Sequence, residues 1–571
     1  MPGASLTWSA TYNNAGQIKA EQDNNGGSIA RNTDYTYYPA GSPFAGLPNT
    51  VTDGDGVTRT GTYDSWLRVT NLTTTGSLSA QQMTVGWTFD PRCYVTDITQ
   101  SFTTNNTGPA TEVQRSFDPY GQLATETVNL GGAGLSGFSQ AWDSAGRRSQ
   151  LTGNAWGESF GYRADGLMTA GGGATFGYAN NGLLIGRTNT FRSFTVNQRD
   201  GLGQPLSATT RVGFSTALAE SWNWLGDGSP AVYIAQRSDY TDTRNFGYGS
   251  LNRRLMQESF NVASSQLVTN NYTFDNGASG GMGILTTATE SSSTKNSWGG
   301  GMDGFSRVVN GTNTVAHRAA YGSLNGPANV SAYLDGRPIA VTLTANNGGQ
   351  WRSTLEMTPG THQLTAYANP PGSLFVTNVT TTFTNNAADT STNTFDANGQ
   401  ITQRIWLSAN GQTNRIQTLT WDAFNRLVMV SERDGQNNGY NWQADFDPLG
   451  RRIRTTTFNV TNNIVLSSQP TTIVHYYDPQ VEFLEIGVTV NGGLTTWKNY
   501  GPDLDGVYGS QQGLGGLESL TTGIYSSGLI QDGFGNVLGS VTNMAVTWNA
   551  ARINAYGAVA GYPPLSFETG P

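Results

Sequence analysis

One short phrase recurs along the whole chain and constrains the fold more than any other feature. It consists of an aromatic residue, Asp, two variable positions, Gly or Asn, and often Arg followed by an aliphatic residue. Clear copies begin at Tyr12, Tyr63, Phe89, Phe117, Trp142, Tyr162, Tyr178, Phe395, Trp421 and Phe446, and weaker copies begin at Arg199, Trp224, Tyr248, Phe274 and Met302. From Tyr63 to Met302, successive copies start 16 to 28 residues apart. A period of about 25 residues sustained over this length indicates a repeat architecture.

The phrase has the chemistry of a tight turn. An Asp carboxylate accepts hydrogen bonds from backbone N–H groups two or three residues further on, and Gly or Asn tolerates a positive φ. The flanking segments alternate, as in SFTVNQRD from Ser193 and TTTFNVTN from Thr455, so each unit is predicted to be strand, turn, strand. We therefore predict an all-β solenoid. The aromatic residue is expected to pack on the corresponding ring of the neighbouring unit.

The composition argues against several classes of function. Lys and Arg number 31 and Asp and Glu number 40, and no basic cluster offers a surface for phosphate backbones, so we expect no nucleic-acid partner. No apolar run approaches the roughly 18 residues that span a bilayer, and the segment MPGASLTWSATYNNAGQ has no signal-peptide character. The single Cys93 excludes an internal disulfide, and we expect it to be a small buried or half-buried residue.

Two interruptions divide the repeats. Between Met302 and Phe395, alternating strands are separated by LDGR, ANNGGQ and TPGTH, a spacing typical of a β-sandwich. After Pro470 the strand pattern becomes denser and less periodic. The predicted regions are a repeat array over 1–311, an immunoglobulin-like β-sandwich insert over 312–392, a continued array over 393–470 and a separate β region over 471–571.

These units resemble the tyrosine–aspartate (YD) repeats of the RHS/YD-repeat family, relatives of the teneurins and of the shell-forming subunits of insecticidal toxin complexes. The last hundred residues are similar to the start of the conserved RHS core, in YYDPQVEFLEIGV at Tyr476, WKNYGPDLDGVYGS at Trp497 and IQDGFGNVLGSV at Ile530. The resemblance implies a long β-sheet that spirals into a hollow shell. It also implies a secreted or cell-surface protein whose shell encloses a toxin or effector domain that follows the core.

In the family, the core continues into a segment where aspartate-dependent self-cleavage separates shell from cargo. This sequence ends at PLSFETGP without such a segment and without a toxin domain. We therefore expect a fragment of a longer protein that does not process itself. The function implied by the resemblance is that of a non-catalytic shell segment, with no cofactor and no metal.

Two residue groups could be read as catalytic. His317, His362 and His475 lack the motif context of a nucleophilic triad. Asp445 and Asp447 alternate along one strand and share a face, as paired glycosidase carboxylates would. Asp447, however, belongs to a repeat turn, so we expect its carboxylate to be occupied there. The sequence therefore predicts no catalytic site.

The D-x-D-G pattern of calcium loops occurs twice, at Asp53 and Asp55 and at Asp503 and Asp505. Neither copy has the Glu at the twelfth loop position that an EF-hand requires. Plain turns are therefore expected at both places.

The aromatic content suggests an alternative function. The chain contains 14 Trp, 24 Tyr and 23 Phe residues and is rich in Asn and Asp, as sugar-binding surfaces are. The alternative is a cell-surface carbohydrate-binding or adhesion module, with glycans as its partners. Because an aromatic residue recurs at the repeat position, we expect packing between repeats to account for these rings better than sugar binding does.

Overall fold

The computed structural model describes most of the repeat region and separate strands elsewhere. The described residues are 6–25, 30–103, 108–238, 241–249, 255–262, 266–274, 285–290, 293–297, 313–314, 316–323, 329–334, 337–339, 342–343, 350–357, 360–369, 377–385, 390–407, 412–468, 470–548, 553–554 and 557–558. Their regular structure is β-strand apart from one 3₁₀ turn at Ser79–Gln81. The prediction of an all-β protein is confirmed.

Sheet 1 has 13 strands, each antiparallel to the next strand along the chain. Its strands are β1 Leu6–Tyr12, β2 Ile18–Asn25, β3 Ala30–Tyr37, β4 Pro48–Thr52, β5 Thr58–Tyr63, β6 Val69–Thr75, β7 Met83–Phe89, β8 Val95–Phe102, β9 Thr111–Phe117, β10 Leu123–Leu130, β11 Ala133–Trp142, β12 Arg148–Gly153 and β13 Trp156–Ser159.

Sheet 2 repeats this arrangement with 13 further strands in chain order. Its strands are β14 Gly161–Tyr162, β15 Met168–Gly171, β16 Ala174–Tyr178, β17 Leu184–Asn189, β18 Ser193–Arg199, β19 Pro205–Val212, β20 Ser215–Trp224, β21 Pro230–Arg237, β22 Thr241–Tyr248, β23 Leu255–Val262, β24 Gln266–Phe274, β25 Leu285–Glu290 and β26 Ser293–Ser297.

The segment between the two repeat regions forms small sheets of its own. After β27 Asn313–Thr314 come β28 Ala316–Ser323, β29 Asn329–Leu334, β30 Arg337–Ile339, β31 Thr342–Leu343, β32 Gln350–Met357, β33 Gly360–Asn369 and β34 Thr377–Asn385. Strands β28, β32 and β31 form one sheet, and β30, β29, β33 and β34 form another. The immunoglobulin-like fold of 312–392 and its boundaries stay predictions.

Sheet 3 has 15 strands, and it begins with β27 and continues after the small sheets. Its other strands are β35 Thr390–Phe395, β36 Ile401–Leu407, β37 Thr413–Trp421, β38 Leu427–Asp434, β39 Gly439–Phe446, β40 Arg452–Thr461, β41 Ile464–Val465, β42 Thr471–Tyr477, β43 Glu485–Val490, β44 Thr496–Tyr500, β45 Leu517–Thr522, β46 Tyr525–Gln531, β47 Val537–Thr542 and β48 Ala545–Trp548. The two-stranded pair β49 Ile553–Asn554 and β50 Gly557–Ala558 follows it. Strand β40 pairs with β42, so the sheet runs without a break across the predicted boundary at residue 470.

Sheets 1 and 2 form what we call the first winding, and sheet 3 forms the second winding. The second winding lies against the first, with contacts that advance in the same direction along both. They pair Arg59 with Ala423, Glu126 with Arg451, Arg148 with Asp478, Arg187 with Glu518 and Glu220 with Gly533. The chain therefore returns alongside its earlier repeats, which is the geometry of a spiral sheet. We call this contact region the seam.

The hydrophobic core lies in the seam. One cluster joins Phe138 and Leu151 of the first winding to Leu484 and Ile486 of the second. Smaller clusters follow the same rule, joining Val57 and Met83 to Ala423, Val113 and Val128 to Ile453, and Leu218 and Tyr233 to Ile530. Burial of apolar surface between the windings is thus a principal stabilising contribution to the spiral.

Candidate functional site

The repeat turn is built around its Asp carboxylate. Asp447 Oδ1 accepts hydrogen bonds from the backbone N–H groups of Leu449 at 3.0 Å and Arg451 at 2.9 Å. The Asp447 N–H donates to the Arg451 carbonyl, and the Gly450 N–H donates to the Asp447 carbonyl. Gly450 has a φ of 88°, which explains why Gly or Asn recurs there. The carboxylate thus binds the residues two and four positions further on.

The same backbone pair of hydrogen bonds closes each copy of the phrase whose turn lies in the described residues. These copies begin at Tyr12, Tyr63, Phe89, Phe117, Trp142, Tyr162, Tyr178, Arg199, Trp224, Phe395, Trp421 and Phe446. The turns predicted after Tyr248, Phe274 and Met302 lie outside the described residues. The prediction that the phrase is a turn is confirmed wherever its turn is described.

The aromatic residue of the phrase contacts the preceding turn rather than the preceding ring. Trp421 Nε1 donates to the carbonyl of Ile401 at 2.9 Å. The guanidinium of Arg426 lies 4.8 Å from the ring centre of Phe446, the next phrase aromatic. Corresponding rings sit two strands apart, about 9.5 Å, too far to touch. The predicted ring-on-ring packing is therefore wrong at this position, and a cation–π contact fills the gap.

The same pattern holds in the first winding. Trp142 Nε1 donates to the carbonyl of Leu123 at 3.0 Å. Arg68 lies 4.2 Å from the ring of Phe89, and Arg147 lies 4.9 Å from the ring of Tyr162. Where the phrase has Arg four positions after the Asp, as at Arg68, Arg147 and Arg426, this Arg links its turn to the next one. The sequence analysis did not predict this role, although the Arg recurs in the phrase.

At the seam, this Arg also crosses between windings. Arg451 is 1% exposed, and it donates to Asp447 Oδ2 at 2.6 Å and to Glu126 Oε1 at 2.9 Å. Glu126 belongs to the first winding, is 2% exposed, and accepts a second ion pair from Arg115 at 2.8 Å. A turn of the second winding is thereby bound to a strand of the first by buried charges.

A second ion pair joins the windings near their middle. Arg148 donates through both terminal nitrogens to Asp478, at 2.6 and 2.8 Å. The hydroxyl of Tyr508 donates to the same carboxylate at 2.8 Å. Burial opposes ionisation of Asp478, but the charge and hydrogen bonds of Arg148, with the backbone N–H groups of Val481 and Gln480, hold its pKa below the ordinary value. This two-point geometry is the strong form of an Arg–carboxylate contact.

A third cluster lies further along. Glu518 of the second winding is buried between Arg187 and Arg192 of the first, with one carboxylate oxygen 2.9 Å from each arginine. Arg187 also donates to the carbonyl of Gly515 at 2.6 Å, and Arg192 to that of Leu529. Together the three clusters spread ionic contacts along much of the described seam.

Glu220 is a buried carboxyl at the seam without a paired cation in hydrogen-bonding contact. Its Oε1 accepts hydrogen bonds from the Tyr233 hydroxyl at 2.7 Å and from the Gly533 N–H of the second winding at 2.8 Å. Burial raises the pKa of Glu220 to about 8. The group is thus mostly protonated at neutral pH, which avoids an uncompensated buried charge.

Asp55 and Asp396 form a carboxyl pair across the first end of the seam. Asp55 accepts a hydrogen bond from the Ala397 N–H at 2.7 Å, and the two carboxyl groups contact each other. Burial is the largest cause that raises the pKa of both groups, that of Asp396 to about 6. Two carboxyl groups in contact disfavour ionisation of both at once, because that would place two negative charges side by side.

The two calcium-like patterns are turns, as expected. Asp53 Oδ1 accepts from two backbone N–H groups, and its Oδ2 pairs with Arg59 at 2.8 Å. Asp503 Oδ2 accepts from the N–H groups of Gln511 and Gly513, at 2.8 and 3.1 Å. Within the described part of the chain, no group of three or more His, Cys, Asp or Glu side chains is arranged to hold a metal.

The remaining candidates whose side chains are described, His475, Asp445 and Asp447, each have separate partners. His475 pairs through Nδ1 with Glu485, which also binds Lys498. The side chains of His317 and His362 lie outside the described residues. Asp445 pairs with Arg454 at 2.7 Å, while Asp447 is held in its turn.

The expectation for Cys93 is wrong. Cys93 is exposed rather than buried, because it occupies the turn position where Gly is usual, with a φ of 71°. In a repeat turn of the first winding this position faces away from the seam.

A cleft of about 480 Å³ opens beside the seam. Side chains of both windings line it, among them Gln100, Phe102, Gln443, Asp445, Arg454 and Phe458. Aromatic and amide groups both line this cleft.

No family model matches this chain, and no curated protein matches it. Among solved structures, the crystal structure of TcdB2-TccC3 is similar over 97% of this chain and 34% of that chain, with 9% identity and a TM-score of 0.31. The structure of TcdB2-TccC3-TEV is similar over 98% of this chain and 32% of that chain, with 11% identity and a TM-score of 0.25. The chain therefore spans about a third of the length of these solved chains. Among the described residues, no helix has the length and apolar character needed to cross a membrane.

Proposed function

We propose that this chain is a structural wall segment of a secreted or cell-surface YD-repeat protein and has no turnover of its own. The observation that carries the proposal is the seam, where buried ion pairs such as Arg148–Asp478 bind one winding of the sheet to the next. A wall must be continuous between its windings, and these contacts supply that continuity. In the described turns, phrase carboxylates such as those of Asp64 and Asp447 accept hydrogen bonds from their own turn and pair with its Arg.

We further propose that the wall encloses a toxin or effector domain carried by a longer parent protein. The support is the resemblance of the turn phrase to YD repeats and of the segment from Tyr476 onward to the RHS core. A spiral sheet that stacks winding on winding is an architecture suited to enclosing a space.

The cargo proposal is tested by protection from protease. In the longer parent, a protease-sensitive reporter is placed after the RHS core, and its cleavage is compared with that of the same free reporter added in trans. The enclosed reporter should survive while the free one is cut. The Arg148→Leu variant, which removes one buried ion pair of the seam, should increase cleavage of the enclosed reporter. Equal cleavage of enclosed and free reporter would refute enclosure.

The structural role is tested separately with the purified chain. A panel of glycans, peptides and esters should show no turnover. Saturable turnover that is lost on replacing one carboxylate or histidine would replace the wall proposal with an enzyme.

The cleft beside the seam favours one alternative, a carbohydrate-binding module. Rings stack on sugars and amides bind hydroxyls, and Phe458 and Gln443 place both groups in one cleft. A glycan array tests this: saturable binding that is lost in Phe458→Ala and Gln443→Ala, but kept in the Phe214→Ala control outside the cleft, would support adhesion. Absence of binding leaves the wall proposal as the better account.

A further inference from the structure

The third residue of the repeat turn, two positions after the Asp, is the residue that docks one winding on the other. In the second winding, Phe424 packs on the cluster of Val57 and Met83, and Leu449 packs on the cluster of Val113 and Val128. The backbone beside it also docks, since the Ala423 carbonyl accepts a hydrogen bond from Arg59 at 3.1 Å. At the seam, apolar residues of the first winding therefore cover the turn edge of the second winding.

In the first winding, no described residue covers the same turn edge at Trp66 and Tyr120. The third turn residues Trp66 and Tyr120 are 73% and 89% exposed, and the adjacent Leu67 is 53% exposed. Trp66 and Leu67 lie in the first of three consecutive repeat turns, and Tyr120 lies in the third. The exposed Arg92 lies in the turn between them. Because consecutive repeat turns are about 9.5 Å apart, they form one edge about 20 Å long. We call Trp66, Leu67, Arg92 and Tyr120 the turn patch.

In the described part of the second winding, a matching edge at the opposite ends of its strands also carries exposed apolar residues. Leu494 and Ile524 lie in connections between strands there, and Ile464 and Tyr525 are the first residues of strands β41 and β46. These four residues are exposed by 66% (Ile464), 70% (Leu494), 89% (Ile524) and 75% (Tyr525). The equivalent connections of the first winding are the ones that receive the second winding at the seam, as Val57 does. We call these four residues the opposite patch.

We propose that the turn patch of one copy of this chain docks on the opposite patch of a second copy, head to tail, in the geometry of the seam. Each copy has the turn patch on one edge and the opposite patch on the other. Inside the molecule, the same two kinds of edge are docked on each other at the seam. Exposed apolar groups of this extent on an edge mark an interaction surface. The proposal is independent of whether the wall encloses a cargo.

Two features follow from this geometry. The contact is heterologous, because two different patches meet, so it does not close on itself at two copies and extends to longer assemblies. The docked turn edge also presents arginines, and at the seam Arg426 and Arg451 reach Gln100 and Glu126 of the receiving winding. Polar contacts of this kind set the register of docking.

The test uses two variants of the whole chain, each with one edge blocked. Trp66→Asp/Tyr120→Asp blocks the turn patch, and Leu494→Asp/Ile524→Asp blocks the opposite patch. Sedimentation velocity in reducing buffer, because Cys93 is exposed on the same edge, measures association up to about 100 μM. The control Ile185→Asp replaces an exposed residue on a sheet face, 43% exposed, outside both patches.

Wild type and control should form dimers and longer species. Each blocked variant alone should associate at least about tenfold more weakly than wild type. An equimolar mixture of the two variants should form dimers that grow no further, because one variant supplies an intact turn patch and the other an intact opposite patch. Circular dichroism and thermal unfolding establish whether each variant is folded. A variant that does not fold is replaced by the corresponding Ser variant, Trp66→Ser/Tyr120→Ser or Leu494→Ser/Ile524→Ser. A monomeric wild type, or one blocked variant that still dimerises by itself, would overturn the proposal.

Discussion

Asp64 and Asp447 make the same contacts within their turns but have different surroundings. Each accepts two backbone hydrogen bonds and pairs with the Arg four residues on. The Asp64 side chain is 21% exposed, whereas that of Asp447 is fully buried beside an Arg that also binds Glu126. Removing the Asp447 carboxylate leaves buried donors and a buried cation without their closest acceptor.

Asp447→Ala should therefore destabilise the protein by about 3 to 5 kcal/mol, the range for breaking a buried pair from one side. Asp64→Ala should cause a smaller loss, because water can replace the carboxylate. Urea unfolding of both variants measures the difference. Equal losses would mean that the seam contributes nothing beyond the turn.

The raised pKa of Glu220 should make the folded protein less stable as the pH rises. Its pKa is raised from the ordinary 4.5 to about 8 by burial, so the folded protein binds more protons than the unfolded chain between these values. The stabilisation is fully present below pH 4.5 and is lost as the pH rises toward 8. Wild type should melt at a lower temperature at pH 8.5 than at pH 5.5.

Glu220→Gln cannot ionise and keeps an acceptor for the Tyr233 hydroxyl. The variant should show a weaker fall in melting temperature over the same pH interval. Asp165→Asn, at an exposed turn residue, is the matched control and should keep the wild-type slope. An unchanged slope in Glu220→Gln would assign the pH dependence to another group.

For a single repeat turn, the sequence predicts the contacts of the Asp within the turn. It does not predict the contact that the Arg of the turn makes with the other winding. The Asp contacts are local, so residue type and spacing predict them. Glu126 lies 325 positions before Arg451, and nothing in either segment marks the pairing. Cys93 is exposed because its place in the turn, with a positive φ, decides its exposure, whereas the apolar character of a Cys side chain favours burial.

The elements of the repeat region follow from alternation and turn spacing, because each strand pairs with the next one. The small sheets between the repeats were predicted as an inserted β-sandwich, and their strands do leave the large sheets. Thr314 of β27 lies opposite Thr390 of β35 in an antiparallel ladder. The chain thus leaves and re-enters sheet 3 at adjacent points.

Excision of residues 315–389 with an Asn-Gly link between Thr314 and Thr390 should leave the spiral folded. A two-residue turn of this type closes an antiparallel pair without strain. The melting temperature should stay close to that of wild type. As a control, deletion of residues 95–117 removes two strands of sheet 1 and should unfold the adjacent seam. Loss of the fold on excision of 315–389 would show that the insert supports the spiral.

The whole molecule differs from a simple linear stack of repeats. In a linear stack each unit contacts its neighbours, and stability is a sum along the chain. Here Arg148 and Asp478 are 330 residues apart in sequence and in direct contact. The seam therefore couples segments of the second winding, such as the turn at Asp478, to strands of the first winding that are distant in sequence.

This coupling predicts where the effect of a single change appears. Arg148→Leu leaves Asp478 buried without its cation, so the turn around Asp478 should open more often even though it is distant in sequence. Hydrogen exchange should speed up both near β12 and around β42 and β43, with other repeats less affected. Arg454→Leu, which breaks the partly exposed pair with Asp445 inside sheet 3, should change exchange only near its own strands. If the effect of Arg148→Leu stays within β11 to β13, the windings are not energetically coupled, and the array unfolds as a linear stack.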